Sequence, residues 1–84
     1  MKSLHIVRKA DDRLAMEAIQ NEERQRPVAL LLLQDGVLAK GRFPDETYAC
    51  QEDLTARGIE SRYKPIDYDA IAQLIAEYDR VVTW

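Results

Sequence analysis

The sequence predicts an α/β protein with a small open, mainly parallel β-sheet flanked by helices. Three observations point there. Short apolar runs of β type alternate with amphipathic helical stretches. One run, Val28 to Leu33, is continuously apolar, as in a strand covered on both faces of a parallel sheet. Pro27, Gly36 and Gly58 fall at the joints between these stretches.

The elements follow in order. Leu4 to Val7 is a first short strand. Asp11 and Asp12 are N-cap candidates for a helix with Leu14, Ala15, Ala18 and Ile19 on one face, ended by Pro27. Val28 to Leu33 is too short between its breakers to be a buried helix. Gln34-Asp35-Gly36 then makes a turn, and Val37 to Ala39 a helical turn before a loop from Lys40 to Asp45. Glu46 to Ala49 is a third strand, and Cys50 to Arg57 is helical, with Asp53 and Arg57 spaced for an i,i+4 pair and Gly58 as C′ stop. Arg62 to Pro65 is expected to be an extended link. Asp67 caps a last helix with Ile71, Leu74, Ile75 and Tyr78 on one stripe, and Arg80 to Trp84 forms the terminal strand.

The 84 residues are expected to form one domain, 1–84. A domain of this size buries only about 60–65% of the surface of its unfolded chain, so association with other subunits is expected. A net charge of −3 and scattered basic residues argue against direct nucleic-acid binding. The start of the chain meets Arg8 and Lys9 too soon for a signal peptide, and the longest apolar run is far below the roughly 20 residues of a bilayer span. With one cysteine there is no internal disulfide, and a cytoplasmic location is expected.

Two features fall at the carboxyl ends of strands, where open parallel sheets collect functional groups. Cys50 lies between the third strand and its helix. The positive end of a helix favours thiolate, the nucleophile toward a disulfide or persulfide, whereas Glu52 and Asp53 in the same turn oppose it. The other reading of Cys50 is a small buried hydrophobe. Asp35-Gly36 suits a turn, with Gly36 at φ > 0 and Asp35 closing it; a pocket or subunit contact is the alternative. His5, the sole histidine, has no spaced partners for a metal and reads as packed or solvated. Trp84 serves either the core or a subunit interface. No glycine-rich phosphate loop and no Ser-His-Asp set can be assembled, so no cofactor is expected.

With those residues laid out, the chain resembles the DsrH/TusB family of sulfur-relay proteins. The resemblance runs through Leu4-His5-Ile6-Val7, Leu30 to Val37 with its Gln34-Asp35-Gly36, Tyr48-Ala49, Glu52-Asp53-Leu54, and Ala56-Arg57-Gly58-Ile59. It closes with Ile66-Asp67-Tyr68 and Val81-Val82-Thr83-Trp84. It implies a DsrEFH-like fold and a place in a hexamer with DsrE/TusD-like and DsrF/TusC-like subunits. That assembly would receive persulfide sulfur from an upstream donor, for 2-thiouridine in tRNA or for dissimilatory sulfur metabolism. Self-association without such subunits is the alternative. The TusB type is regarded as a supporting subunit. DsrH proteins tend to carry a cysteine in the first helix, whereas here that helix, Asp12 to Glu23, has none, and the loop between Gly36 and Tyr48 is short. Cys50 instead precedes a helix ending Ala56-Arg57-Gly58, as does the sulfur-carrying cysteine of the DsrE/TusD type. The resemblance therefore implies either a carrier at Cys50 or a non-catalytic subunit with Cys50 buried.

Overall fold

A computed structural model describes residues 2–84. Five strands, β1 (Ser3–Val7), β2 (Val28–Leu32), β3 (Glu46–Cys50), β4 (Lys64–Ile66) and β5 (Arg80–Thr83), form one sheet in the order β4-β3-β2-β1-β5. Every neighbouring pair is parallel. The helices are α1 (Arg13–Glu23), α2 (Gln51–Ala56) and α3 (Tyr68–Ala76), with a 3-10 turn over Gln34–Leu38. The open parallel α/β sheet expected from the sequence is the observed fold.

Connectivity decides which face each helix covers. From β1 to β4 the chain steps steadily outward, so right-handed crossovers put α1, the 3-10 turn and α2 on one face. That layer contains Ala15, Ile19, Val37 and Leu54 against Val7, Leu30, Leu32 and Ala49. From β4 the chain returns across the sheet to β5 beside β1, and the same handedness sends α3 to the other face. Ile71 and Leu74 of α3, with Tyr78, pack there on Leu4, Ile6, Ala29, Leu31 and Cys50. Burying Ile19 and Ile71 stabilises the sandwich by about 1.5–3 kcal/mol each.

Caps match the sequence. Asp12 Oδ1 accepts from the Ala15 amide at 3.1 Å and starts α1; Asp67 Oδ1 accepts from Ala70 at 2.8 Å and starts α3. Gly58 takes φ +62° just past α2, the left-handed C′ position expected of it.

Three expectations need correction. The link Arg62–Pro65 instead leads into β4, which pairs with β3 from Tyr48↔Lys64 to Cys50↔Ile66. Pro65 lacks an amide hydrogen but is tolerated because β4 is an edge strand. Leu14 is 74% exposed. It stands about 100° around the helix from Ala15, off the stripe that Ala15 and Ile19 press onto the sheet. Ile75 is exposed too, since the single helix on its face contacts the sheet through Ile71 and Leu74.

Candidate functional site

The carboxyl ends of β1, β2 and β3 meet at a compact corner. After β2 the Leu33 amide donates to Val7 O at 3.0 Å, and the Gly36 amide to Leu33 O at 2.8 Å, turning the chain across the end of β1. Gln34 carries the left-handed conformation of this turn, with φ 52°, and its amide donates to Asp53 Oδ2 at 2.6 Å. The expectation of a positive φ at Gly36 is thus corrected. Gly36 is buried, and a Cβ there would lie 2.1 Å from Val7 O. Glycine is required because backbone approaches backbone, not because the torsion is unusual.

Asp35 does not close the turn with its own side chain; it reaches α2. The Arg57 guanidinium donates to Asp35 Oδ1 through Nε at 3.1 Å and Nη2 at 2.8 Å. The same guanidinium donates to Asp53 O at 3.2 Å and stands 3.6 Å from Asp53 Oδ1, the i,i+4 pair read from the sequence. Asp53 and Arg57 thereby clamp the turn to α2. Only the Asp53–Arg57 half was visible in the spacing. The contacts to Gln34 and Asp35 are long-range, and no local pattern encodes them.

Cys50 closes β3 and stands at the N-cap of α2, as expected. Its side chain is fully buried, in the apolar layer under α3 beside Ile71 and Leu74. Its Sγ donates to Glu52 Oε1 at 3.6 Å. Burial pushes the thiol above its ordinary value, and the Asp53 carboxylate adds to this; the backbone amides of Asp53 and Glu52 pull the other way without reversing it. The thiol is therefore protonated and shielded at neutral pH. Tyr68, the first residue of α3, carries its phenol beside the thiol and is 60% exposed.

A second polar cluster lies on the α1 face. His5 Nε2 is 2.7 Å from Glu22 Oε1, and Trp84 Nε1 donates to His5 Nδ1 at 3.1 Å. An indole N–H can only donate, so Nδ1 accepts and Nε2 carries the proton given to Glu22. His5 is packed, as one of its two readings had it, and its ring stacks near Trp84 with centroids 6.2 Å apart. Burial acts to raise the Glu22 carboxyl, but Ser3, His5 and Arg26 around it outweigh this and hold it below the ordinary range. The Ser3 hydroxyl is buried without a completed hydrogen bond. Trp84 is partly buried against the core, and Arg8 Nε donates to its carbonyl at 2.9 Å. Glu22 escaped the sequence reading because it sits in a run of charged residues that looks like solvated helix end.

Among the described residues, no group of three or more His, Cys, Asp or Glu side chains is arranged to hold a metal ion. No helix among them is long and apolar enough to cross a membrane.

Comparison with known proteins adds the family. The chain is 38% identical over 69 residues to Protein TusB of Escherichia coli O1:K1, an alignment covering 66% of this chain and 73% of that protein. It has the same likeness to Protein TusB of strain UTI89, and is 36% identical over 69 residues to that of strain SMS-3-5. The chain belongs to the TusB/DsrH family. No family model matches it. Membership of TusB/DsrH agrees with the ordered motifs read from the sequence. It leaves the clamp of Gln34, Asp35, Asp53 and Arg57, together with the buried Cys50, as the features of this TusB/DsrH chain to be explained chemically.

Proposed function

We propose that the chain is a supporting subunit of a cytoplasmic sulfur relay that serves tRNA thiolation, assembled with DsrE/TusD-like and DsrF/TusC-like subunits. Its relatives carry the name Protein TusB, and in the resemblance stated above that type supports the complex and leaves sulfur transfer to other subunits. The observation that carries this reading is the burial of Cys50. A sulfur carrier must meet a donor persulfide and then an acceptor thiol in line with its own sulfur, as a thiolate. Cys50 has neither access nor a lowered pKa. The clamp at Asp35, Gly36, Asp53 and Arg57 supports a rigid contact surface at the carboxyl edge, and the partly exposed Trp84 extends it along β5.

A second reading keeps Cys50 as a persulfide carrier. It is favoured by the thiol's place at the end of β3, directly ahead of a helix that runs into Ala56-Arg57-Gly58. In this version α3 and Tyr68 move away when a partner docks.

One experiment separates the two. The complex is reconstituted with wild type, with Cys50→Ser or without this chain, and sulfur flow to tRNA is measured alongside intact mass after exposure to a persulfide donor. The supporting reading expects flow to require the chain, Cys50→Ser to sustain it, and no mass gain on native wild type. A gain of one sulfur, about 32 Da, on native wild type alone, with flow lost in Cys50→Ser, establishes the carrier instead. Flow that is unaffected by omitting the chain sinks both.

A further inference from the structure

Away from the Cys50 corner, the loops that lead into β3 and β4 enclose a groove of different character. Its larger part, about 520 Å³, lies between the segment Val37–Lys40 and the segment Ile59–Tyr63. A neighbouring hollow of about 450 Å³ shares the Arg62–Tyr63 wall and adds Arg42 and Phe43. The floor is apolar: Leu38 is 41% exposed beside Val37 and Ile59, and the Phe43 and Tyr63 rings pack with centroids 5.4 Å apart.

The rim is basic. Lys40, Arg42 and Arg62 are exposed, and among the described residues no ion pair involves any of them. Arg62 is held in place by its position over the Tyr63 ring, 5.3 Å from the centroid, and by donation to Gly41 O at 3.1 Å. Arg24 stands at the far end, beyond Arg42. The acids on these walls are Glu60 and Glu23. A chain of net charge −3 thus gathers exposed, unpaired cations around its apolar groove.

We infer that this groove docks an acidic segment of a partner protein, one with apolar side chains set between its carboxylates. The apolar floor offers the central burial of a protein interface, and the guanidinium and ammonium rim offers charge complementarity around it. A nucleic acid fits less well. Its long-range field would be repelled by the chain's net charge, and the two aromatic rings are turned onto each other rather than presented as a stacking platform. The inference is independent of sulfur chemistry.

The test pans random short peptides against the whole chain, then compares wild type with the double variant Lys40→Glu/Arg42→Glu. Among the described residues neither side chain makes a hydrogen bond, so this variant keeps the fold; Lys9→Glu/Arg13→Glu, with the same charge change elsewhere, is the control. The expected result is enrichment of Asp and Glu interleaved with Leu or Phe. A synthetic peptide of that sequence then loses roughly tenfold or more in affinity on the double variant and little on the control. Its amide shift changes are confined to residues 37–43 and 59–63. Selected peptides without acidic enrichment, or ones that bind the variant equally, overturn the inference. So does tighter binding of oligouridylate at the same residues, or sedimentation showing that wild type self-associates through the groove while the variant is monomeric.

Discussion

The His5–Glu22 pair and the Asp35–Arg57 pair have nearly the same contact length, 2.7 and 2.8 Å, and they join distant parts of one small fold. Their surroundings differ. His5 and Glu22 side chains are 3% and 11% exposed, whereas Asp35 is 64% exposed and Arg57 26%. In the first cluster the side chains are part of the packed layer, and losing one strands another in a low dielectric. In the second, water can replace either partner, and the turn is positioned by backbone contacts beneath the charges. Burial, not the chemistry of the pair, decides whether a polar cluster carries stability or only trims a surface.

If that is right, the largest effect at the carboxyl corner comes from a residue with no side chain. In Gly36→Ala the new methyl would sit 2.1 Å from Val7 O and 2.9 Å from Val7 C, both backbone atoms of β1 with no flexible end to yield. The turn would have to lift off β1, breaking the Leu33 amide bond to Val7 O. We expect a loss of about 3 kcal/mol in urea unfolding, near the top of the range for overpacking. A cost below about 1 kcal/mol would mean that the turn shifts freely and that the corner is not rigid.

The buried cluster comes next. His5→Phe removes the donor to Glu22 and the acceptor for the Trp84 indole, leaving the indole N–H unpaired and the carboxylate with only the longer contact to Arg26 at 3.9 Å. About 2–3 kcal/mol should be lost at neutral pH. Glu22→Gln keeps an acceptor for His5 and should cost only about 1 kcal/mol. The pH dependence has a definite sign. Glu22 is held below the ordinary carboxyl value in the fold, so its contribution is present above that value and is lost as pH falls through the lowered one. The gap between wild type and His5→Phe therefore narrows in acid. Trp84, the sole tryptophan, reports the unfolding directly by fluorescence. A gap that stays constant from neutral to acid would show that Glu22 makes no charged contribution.

Legibility in the sequence divides along the same line. The alternation of short strands and helices, the caps at Asp12 and Asp67 and the stop at Gly58 were readable, because each is set by neighbours a few residues away. So was the location of Cys50 at the β3–α2 joint. β4 was missed because three residues containing a proline carry almost no strand signal, and its existence depends on pairing with β3. Leu14 was misplaced because a helical stripe can be drawn through several residues, and only the docking angle on the sheet selects among them. The burial of Cys50 depends on α3 crossing back over β3, a long-range consequence of strand order. The contacts of Asp35 to Arg57 and of His5 to Glu22 and Trp84 span 22, 17 and 79 residues, beyond any local pattern.

The smallest expected effect sharpens the comparison most. Arg57→Ala removes every contact of the clamp to Asp35 and both contacts to Asp53, yet leaves the Asp53 carboxylate on the Gln34 amide and Gly36 against β1. Exposed ion pairs are worth about 0–1 kcal/mol, so the variant should lose less than about 1 kcal/mol and lose it mostly at low salt. Asp53→Asn, which keeps an oxygen toward the Gln34 amide, should be similarly mild, whereas Asp53→Ala removes the acceptor for a left-handed residue and should cost more than Arg57→Ala. That order would place the strength of the corner in the backbone bonds of the turn. The reverse order, with Arg57→Ala the more damaging of the two, would show that the exposed cluster is held by its charges and that burial does not separate the two clusters.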